Sequence, residues 1–273
     1  LPKNELENFE SLGLSKDLLS SLNFLGYNNP TPIQIKSIPL ALMGRDILGC
    51  AQTGTGKTAS FVFPIIDILN SQKGKARMPR SLILSPTREL ACQISEYFKK
   101  LSNYHKLTVS LLIGGTPLNE QDKELNKGVD ILIATPGRLI DHINRGNILF
   151  NDLKILVIDE ADRMLDMGFI HDIKRVLKLL PQERQSLLFS ATFSDEITAL
   201  AKTITRNPVS ISTAPANTTV EAVQQHLVTI DKSKKTTALI CLIKQQKWEQ
   251  VLVFSRTKHG ANRIAEKLTR SKI

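Results

Sequence analysis

The stretch that most limits what this chain can become is Ala51-Gln52-Thr53-Gly54-Thr55-Gly56-Lys57-Thr58. An apolar run, Asp46 to Cys50, leads into it, and Ala59-Ser60-Phe61-Val62-Phe63 follows with the look of an opening helix. Strand, small-residue turn, helix is the setting of a phosphate-binding loop. Glycines let backbone N–H groups curl round an anion with no Cβ in the way, and the helix N-terminus adds a favourable dipole. In that reading Lys57 meets the β- and γ-phosphates of a nucleotide and the Thr58 hydroxyl coordinates Mg²⁺. The strict pattern has Gly where this chain has Ala51, a small departure because alanine is the next smallest side chain. A flexible glycine loop before a helix is the bland alternative.

At 273 residues the chain has the length of one complete domain plus part of another. It is 41% hydrophobic, enough for a sizeable core, and no apolar run approaches the roughly eighteen residues of a membrane span. It starts at Leu1 and stops within a helical pattern at Ser271-Lys272-Ile273, so a piece of a longer chain is expected. No signal or transit sequence is apparent, which makes the cytoplasm the default. Cys50, Cys92 and Cys241 are widely separated, and the five histidines share no ligand spacing, so no zinc site is expected. The formal charge of +10 is uneven: residues 1–199 carry +1 and residues 200–273 carry +9. A nucleic acid bound to the first part would therefore be held by local groups rather than by a broad basic field.

Along the chain, Ser15 reads as the N-cap of a leucine-bearing helix that Gly26-Tyr27 ends. Asn29-Pro30-Thr31-Pro32-Ile33-Gln34 is a stiff turn presenting a carboxamide, whose donor and acceptor suit the N6/N7 edge of adenine. Pro64 is expected to kink or shorten the helix after the phosphate loop. Apolar runs at 81–85, 109–113, 129–134, 154–159, 186–190 and 209–212 alternate with helical patterns at 88–101, 121–126, 137–144, 172–180 and 195–205. That alternation predicts an α/β fold, a parallel sheet with helices on both faces, with ligands beyond the C-terminal strand ends.

Those ends are polar. Ile155-Leu156-Val157-Ile158 delivers Asp159-Glu160-Ala161-Asp162; Asp159 is placed to hold Mg²⁺ through water, and Glu160 to orient or deprotonate an attacking water. The rival reading makes both acids helix caps. Pro86-Thr87-Arg88, Gly114-Gly115 and Thr135-Pro136-Gly137-Arg138 each set a hydroxyl, a tight backbone or a guanidinium after a strand, as a sugar-phosphate track requires. Ser190 and Thr192 could bond the Asp159–Asp162 carboxylates and couple nucleotide state to the fold, unless Thr192 or Ser194 is simply a cap.

Together these residues resemble the DEAD-box ATP-dependent RNA helicases. Phe9 with Gly26–Gln34, including Tyr27 and Thr31, is similar to the family's upstream aromatic and Q motif, and Ala51–Thr58 to its motif I, which tolerates Ala. Residues 86–90, 114–115 and 135–138 resemble its RNA-contacting motifs, Asp159–Asp162 the tetrapeptide that names it, Ser190–Thr192 its motif III and Leu252–Lys258 its motif IV. Arg256–Asn262 is similar to RhlE-type bacterial members. The resemblance implies a RecA-like ATP-binding domain over 1–206 with its Q motif at 7–35, a linker at 207–222 and the start of a second RecA-like domain at 223–273. It implies ATP and Mg²⁺ as cofactors and a monomer acting on single-stranded or short duplex RNA with ribosomal or RNA-decay particles as partners. The family's second-domain arginines that reach the γ-phosphate are not among these residues. Without such a group, hydrolysis falls by roughly a thousandfold or more in analogous enzymes, so poor turnover is expected of this segment. The rival functions are a P-loop motor acting on DNA or protein, and an ATP-gated RNA clamp.

Overall fold

Seven short runs pair into one all-parallel sheet: β1 (Ile47–Cys50), β2 (Ser81–Leu84), β3 (Val109–Leu112), β4 (Ile131–Ala134), β5 (Ile155–Ile158), β6 (Gln185–Ser190) and β7 (Val209–Ser212). Their order across the sheet is β3-β4-β2-β5-β6-β1-β7. The protein is seen in a computed structural model, which describes residues 8–52, 54–71, 78–102, 105–213, 224 and 226–273. The chain divides into two units, 1–218 and 219–273.

Successive side chains on a strand point to opposite faces, and here both faces are covered. Ile83, Ile131, Ile133, Ile155, Val157 and Phe189 enter one buried cluster, with α1 (Lys16–Phe24), α2 (Pro32–Leu42), α3 (Lys57–Asn70) and α4 (Arg88–Ser102). Their neighbours Leu82, Leu84, Leu132, Leu156, Ile158 and Leu188 enter the other, with α5 (Leu118–Asn126), α6 (Pro136–Asn144), α7 (Ala161–Asp166), α8 (Ile170–Leu177) and α9 (Asp195–Ile204). On β1 only glycine fits at position 49, because a Cβ there would lie 2.5 Å from the Phe189 ring.

Local signals explain the helix ends. Ser15 Oγ accepts the Leu18 N–H at 3.4 Å, and Gly26 turns the chain with φ +79°. Of the kink or early end expected at Pro64, the early end does not occur, since the helix continues to Asn70. Phe61, Val62, Phe63, Ile65, Ile66 and Leu69 are all fully buried around it. Burying each is worth about 1.5–3 kcal/mol, which outweighs the ~3 kcal/mol cost of an interior proline. β7, the run read at 209–212 as the last edge strand, closes the sheet beside β1; of the linker expected after it, 214–222 lie outside the described residues.

Two carboxylates fasten the sheet at its N-terminal end, opposite the loops. Asp46 accepts the N–H groups of Ser186 (2.8 Å) and Arg206 (2.7 Å), tying the starts of β1 and β6. Asp130 accepts from Arg80 Nη2 (2.6 Å) and Nε (2.9 Å) and from the Thr108 N–H and hydroxyl (each 2.9 Å), tying the starts of β2, β3 and β4. Burial alone would raise the Asp130 pKa, but the Thr108 and Arg80 donors outweigh it and hold the carboxyl below its usual range.

In the second unit the sequence pattern reads as a strand at 224–230, a helix at 234–245, a strand at 250–254 and a helix from His259 onward, and the helices form as α10 (Lys235–Gln246) and α11 (Lys258–Arg270). The strands expected at 224–230 and 250–254 do not form among the described residues. A parallel strand exists through its neighbours, and among the described residues these segments have none: Leu227 is 96%, Leu252 80% and Phe254 87% exposed.

Asp130→Asn removes the charge facing Arg80, which is 5% exposed. It is expected to cost about 3 kcal/mol of stability at neutral pH, as breaking a buried pair does. The lowered pKa means that this stabilisation is present above the ordinary carboxylate pKa of about 4 and is lost as pH falls through the lowered value. Denaturant titrations of the two proteins should therefore converge in acid.

Candidate active site

Because the strands are parallel, the loops after β1, β6 and β5 emerge side by side. Strand spacing places the tips of β1 and β5 about 10 Å apart, with β6 between them. Gly54 (φ +85°) and Gly56 (φ +89°) shape the loop after β1, where the Thr55 hydroxyl donates to the Gln52 carbonyl at 2.7 Å. Thr53 lies outside the described residues. Ala51, 1% exposed, donates its N–H to the Ser190 carbonyl at 3.2 Å and so joins the loop to the tip of β6.

A cavity of about 450 Å³ opens over this loop. Gly54, Gly56, Lys57 and Thr58 line it from one side, Asp159 and Glu160 from another, and Tyr27, Thr31 and Gln34 from a third. Lys57 is 6% exposed, and its ammonium has no hydrogen-bond partner among the described residues. A buried, unpaired ammonium at a helix N-terminus beside a glycine loop and a carboxylate fits a magnesium-bound polyphosphate: an anion for Lys57 and the amides that open α3, a hard cation for Thr58 and Asp159.

Gln34, 6% exposed, has partners in the protein itself. Its carbonyl accepts the Thr31 N–H (2.9 Å) and its amide donates to the Gly56 carbonyl (3.0 Å), tying α2 to the loop. One amide hydrogen and one lone pair remain for an adenine edge. A Cβ at Gly56 would come within 2.4 Å of that amide nitrogen. Phe9 does not line the cavity. It is buried edge-on to Phe63, at 5.7 Å between ring centres, and Phe63 in turn meets Tyr27 at 5.6 Å, so Phe9 backs the aromatic wall instead of forming it. Sequence reasoning missed Leu90, Gln93 and Tyr97, which α4 presents to the cavity at helical spacing. Their i, i+3, i+7 register was visible, but nothing in it said that this face meets an opening. Burial and a hydrogen bond with Tyr27 push the Tyr97 phenol above its usual range.

At the tip of β5, Asp159 is 2% exposed. Its Oδ1 accepts the Glu160 N–H at 3.0 Å. Burial pushes its carboxyl up to about 6; Glu160 and Asp162 add to that, while the Lys57 ammonium and the Glu160 N–H pull it down. Glu160 has a left-handed backbone (φ +53°) and pairs with Arg163 at 3.2 Å. Asp162 Oδ2 accepts the N–H groups of Ala191 and Thr192 (3.1 Å each) and the Thr192 hydroxyl (3.2 Å), and the Asp162 N–H donates to Ser190 Oγ at 3.3 Å. Ser194 caps α9, accepting from the Ile197 N–H at 3.3 Å, which leaves Thr192 to Asp162.

The three other polar loops follow β2, β3 and β4, which are adjacent strands. Arg88 lies against Gly115 so closely that a Cβ there would be 2.2 Å from its Nη1. Thr87 Oγ1 accepts the Leu90 N–H at 3.3 Å, and Pro86 and Thr135 are buried behind the surface that Gly114 and Gly137 leave partly open. Arg138 is largely buried too; its Nη1 donates to the Thr116 carbonyl at 2.7 Å.

The raised Asp159 pKa means that the folded chain binds this proton more tightly than the unfolded one. Asp159 thus lends stability below the ordinary carboxylate pKa and loses it as pH rises through about 6. Asp159→Asn is expected to stabilise the nucleotide-free protein by about 1–3 kcal/mol near pH 8, with the gain gone by about pH 4. Thermal melts at the two pH values check it.

A family model described as DEAD/DEAH box helicase matches residues 31–200. The chain is 42% identical over 279 residues to ATP-dependent RNA helicase RhlB of Pseudomonas putida, covering 100% of this chain and 70% of that protein. It is 40% identical over 260 residues to DEAD-box ATP-dependent RNA helicase CshA of Geobacillus kaustophilus, covering 95% of this chain but 55% of that one. The crystal structure of a DEAD box protein from the hyperthermophile Methanococcus jannaschii superposes with a TM-score of 0.71 at 37% identity, over 96% of this chain and 70% of that one. With more than half of its length matched by the family model, this chain belongs to the DEAD/DEAH box helicases.

Proposed function

We propose that the chain is the ATP-binding part of an ATP-dependent RNA helicase that couples ATP binding and hydrolysis to local RNA duplex opening or RNP remodelling. The observation that carries this reading is that Lys57 and Asp159, from loops far apart in sequence, line one cavity. Lys57 and the amides opening α3 would hold the β- and γ-phosphates, while Tyr27, Thr31 and Gln34 face the base end. Mg²⁺, held by Thr58 directly and by Asp159 through water, would supply charge neutralisation on the phosphate oxygens. Glu160 would accept the proton of the attacking water. Asp162 would pass the state of that site to Ser190 and Thr192.

RNA would lie by its backbone across residues 86–88, 114–115 and 135–138, groups that contact phosphate and sugar and read no sequence. Residues 223–273 would begin the second RecA-like domain, and closure of two such domains round ATP and a bent strand would expel the complementary strand. A monomer in the cytoplasm, working on ribosomal or RNA-decay particles, agrees with this chemistry. Among the described residues no helix is long and apolar enough to cross a membrane.

Lys57→Ala should weaken binding of a fluorescent ATP analogue with Mg²⁺ about a hundredfold, the usual loss when one partner of a buried charge pair is removed. Unchanged affinity would exclude the site. Arg88→Ala should leave that affinity alone and weaken binding of single-stranded RNA, more so at low salt, where phosphate contacts count most.

A further inference from the structure

Two buried polar side chains, Gln121 (4% exposed) on α5 and His142 (fully buried) on α6, have no part in the site described so far. They sit beside the apolar cluster of Leu112, Leu125, Leu139 and Ile140. An apolar pair of similar volume would hold α5 to α6 without the cost of desolvating an amide and an imidazole. Stability alone therefore does not account for them.

What the polar pair does, and an apolar pair cannot, is reach the loops. Gln121 Nε2 donates to the Ile113 carbonyl at 2.9 Å, immediately before Gly114-Gly115. Gln121 Oε1 accepts from His142 Nε2 at 2.9 Å and from Arg138 Nη1 at 3.2 Å, and the same Nη1 donates to the Thr116 carbonyl. The amide is thereby oriented from both ends, nitrogen toward Ile113 and oxygen toward Arg138. It follows that His142 carries its proton on Nε2. His142 Nδ1, 3.1 Å from Asp122 Oδ1, has no hydrogen-bond partner among the described residues, so the imidazole is oriented through its Nε2 bond to Gln121. The network ends on both sides of the glycine pair, at 113 and 116, and on the guanidinium of Arg138.

We infer that Gln121 and His142 are positioning residues for RNA: together they hold the 113–116 loop and Arg138 in one fixed geometry toward the phosphate backbone. This rests on the assignment of residues 86–88, 114–115 and 135–138 to RNA. A contact that is already in place when the strand arrives loses less conformational freedom on binding.

The test compares Gln121→Leu, His142→Leu, His142→Gln, Arg138→Ala and the double variant Gln121→Leu/Arg138→Ala in the 273-residue chain. A labelled oligouridylate reports RNA affinity across a salt series, and a fluorescent ATP analogue reports the nucleotide site. Gln121→Leu and His142→Leu are expected to weaken RNA binding about tenfold and to lower the salt slope by about one, as loss of one phosphate contact does. Nucleotide affinity should stay within about twofold, and the double variant should be no worse than Arg138→Ala, because the residues act as a unit. His142→Gln, which keeps an N–H donor toward Gln121, should restore RNA binding. Arg138→Ala weakening RNA binding while Gln121→Leu does not, or losses that simply add in the double variant, would overturn the positioning role alone. Arg88→Ala and Arg138→Ala both leaving RNA binding unchanged would overturn the RNA assignment and this inference with it.

Discussion

A lysine and an aspartate, each more than nine-tenths buried, share one cavity at the tips of a parallel sheet. Taking both charges out of water is expensive, and their mutual attraction offsets only part of it. The raised Asp159 pKa records that residue of unfavourable energy. Such a pair is held together only if the strands carrying it cannot shift. Asp46 and Asp130 supply that at the far end of the sheet, where each accepts N–H groups from the starts of other strands. The two ends divide the labour: carboxylates satisfied by backbone donors give rigidity at one, and carboxylates with capacity left for a ligand give chemistry at the other.

The sheet order then decides what can influence what. The nucleotide cavity lies over β1, β6 and β5, and the surface assigned to RNA over β2, β4 and β3. They meet at the β2–β5 boundary, and α4 spans it: Arg88 at its start is among the residues assigned to RNA, while Gln93 and Tyr97 further along line the cavity. A rigid helix contacting both regions is a physical connection between them, whereas Asp162 with its three donors from residues 191–192 joins the tips of β5 and β6 within the cavity side. The helix can transmit a change only so far as its ligands bind its arrangements with different affinity.

How much of this was legible in the sequence follows from the range of each interaction. The phosphate loop and the acidic strand tip were legible because a strand, a turn and a helix start are local events with fixed residue requirements. All seven first-unit strands were legible for a related reason, since near-continuous apolar runs allow little else. Other features depended on packing between distant segments. The resemblance puts Phe9 with the ATP-binding residues, but the ring it meets, Phe63, is set by how α3 docks. Pro64 reads as a kink or an early end because its local cost is visible in sequence, and the burial that carries α3 on to Asn70 is not. Gln121 and His142 carried no signal, as nothing near either one announces a partner on another helix. The strands expected in the second unit failed because a strand needs a neighbour, and no periodicity supplies one.

Glu160 shows why local rules fail where chemistry is concentrated. A left-handed backbone costs a residue with a Cβ on the order of 1 kcal/mol, and glycine would remove that cost. Glycine would also remove the carboxylate that lines the cavity beside Asp159. The strain has a geometric return: with φ at +53° the chain turns directly from β5 into α7. The turn keeps the Glu160 N–H on Asp159 Oδ1 and brings Asp162, two residues later, under the N–H groups of Ala191 and Thr192. A relaxed turn of ordinary length would separate those three acids. The strained residue is therefore what lets one tetrapeptide serve the cavity with its first two side chains and β6 with its last.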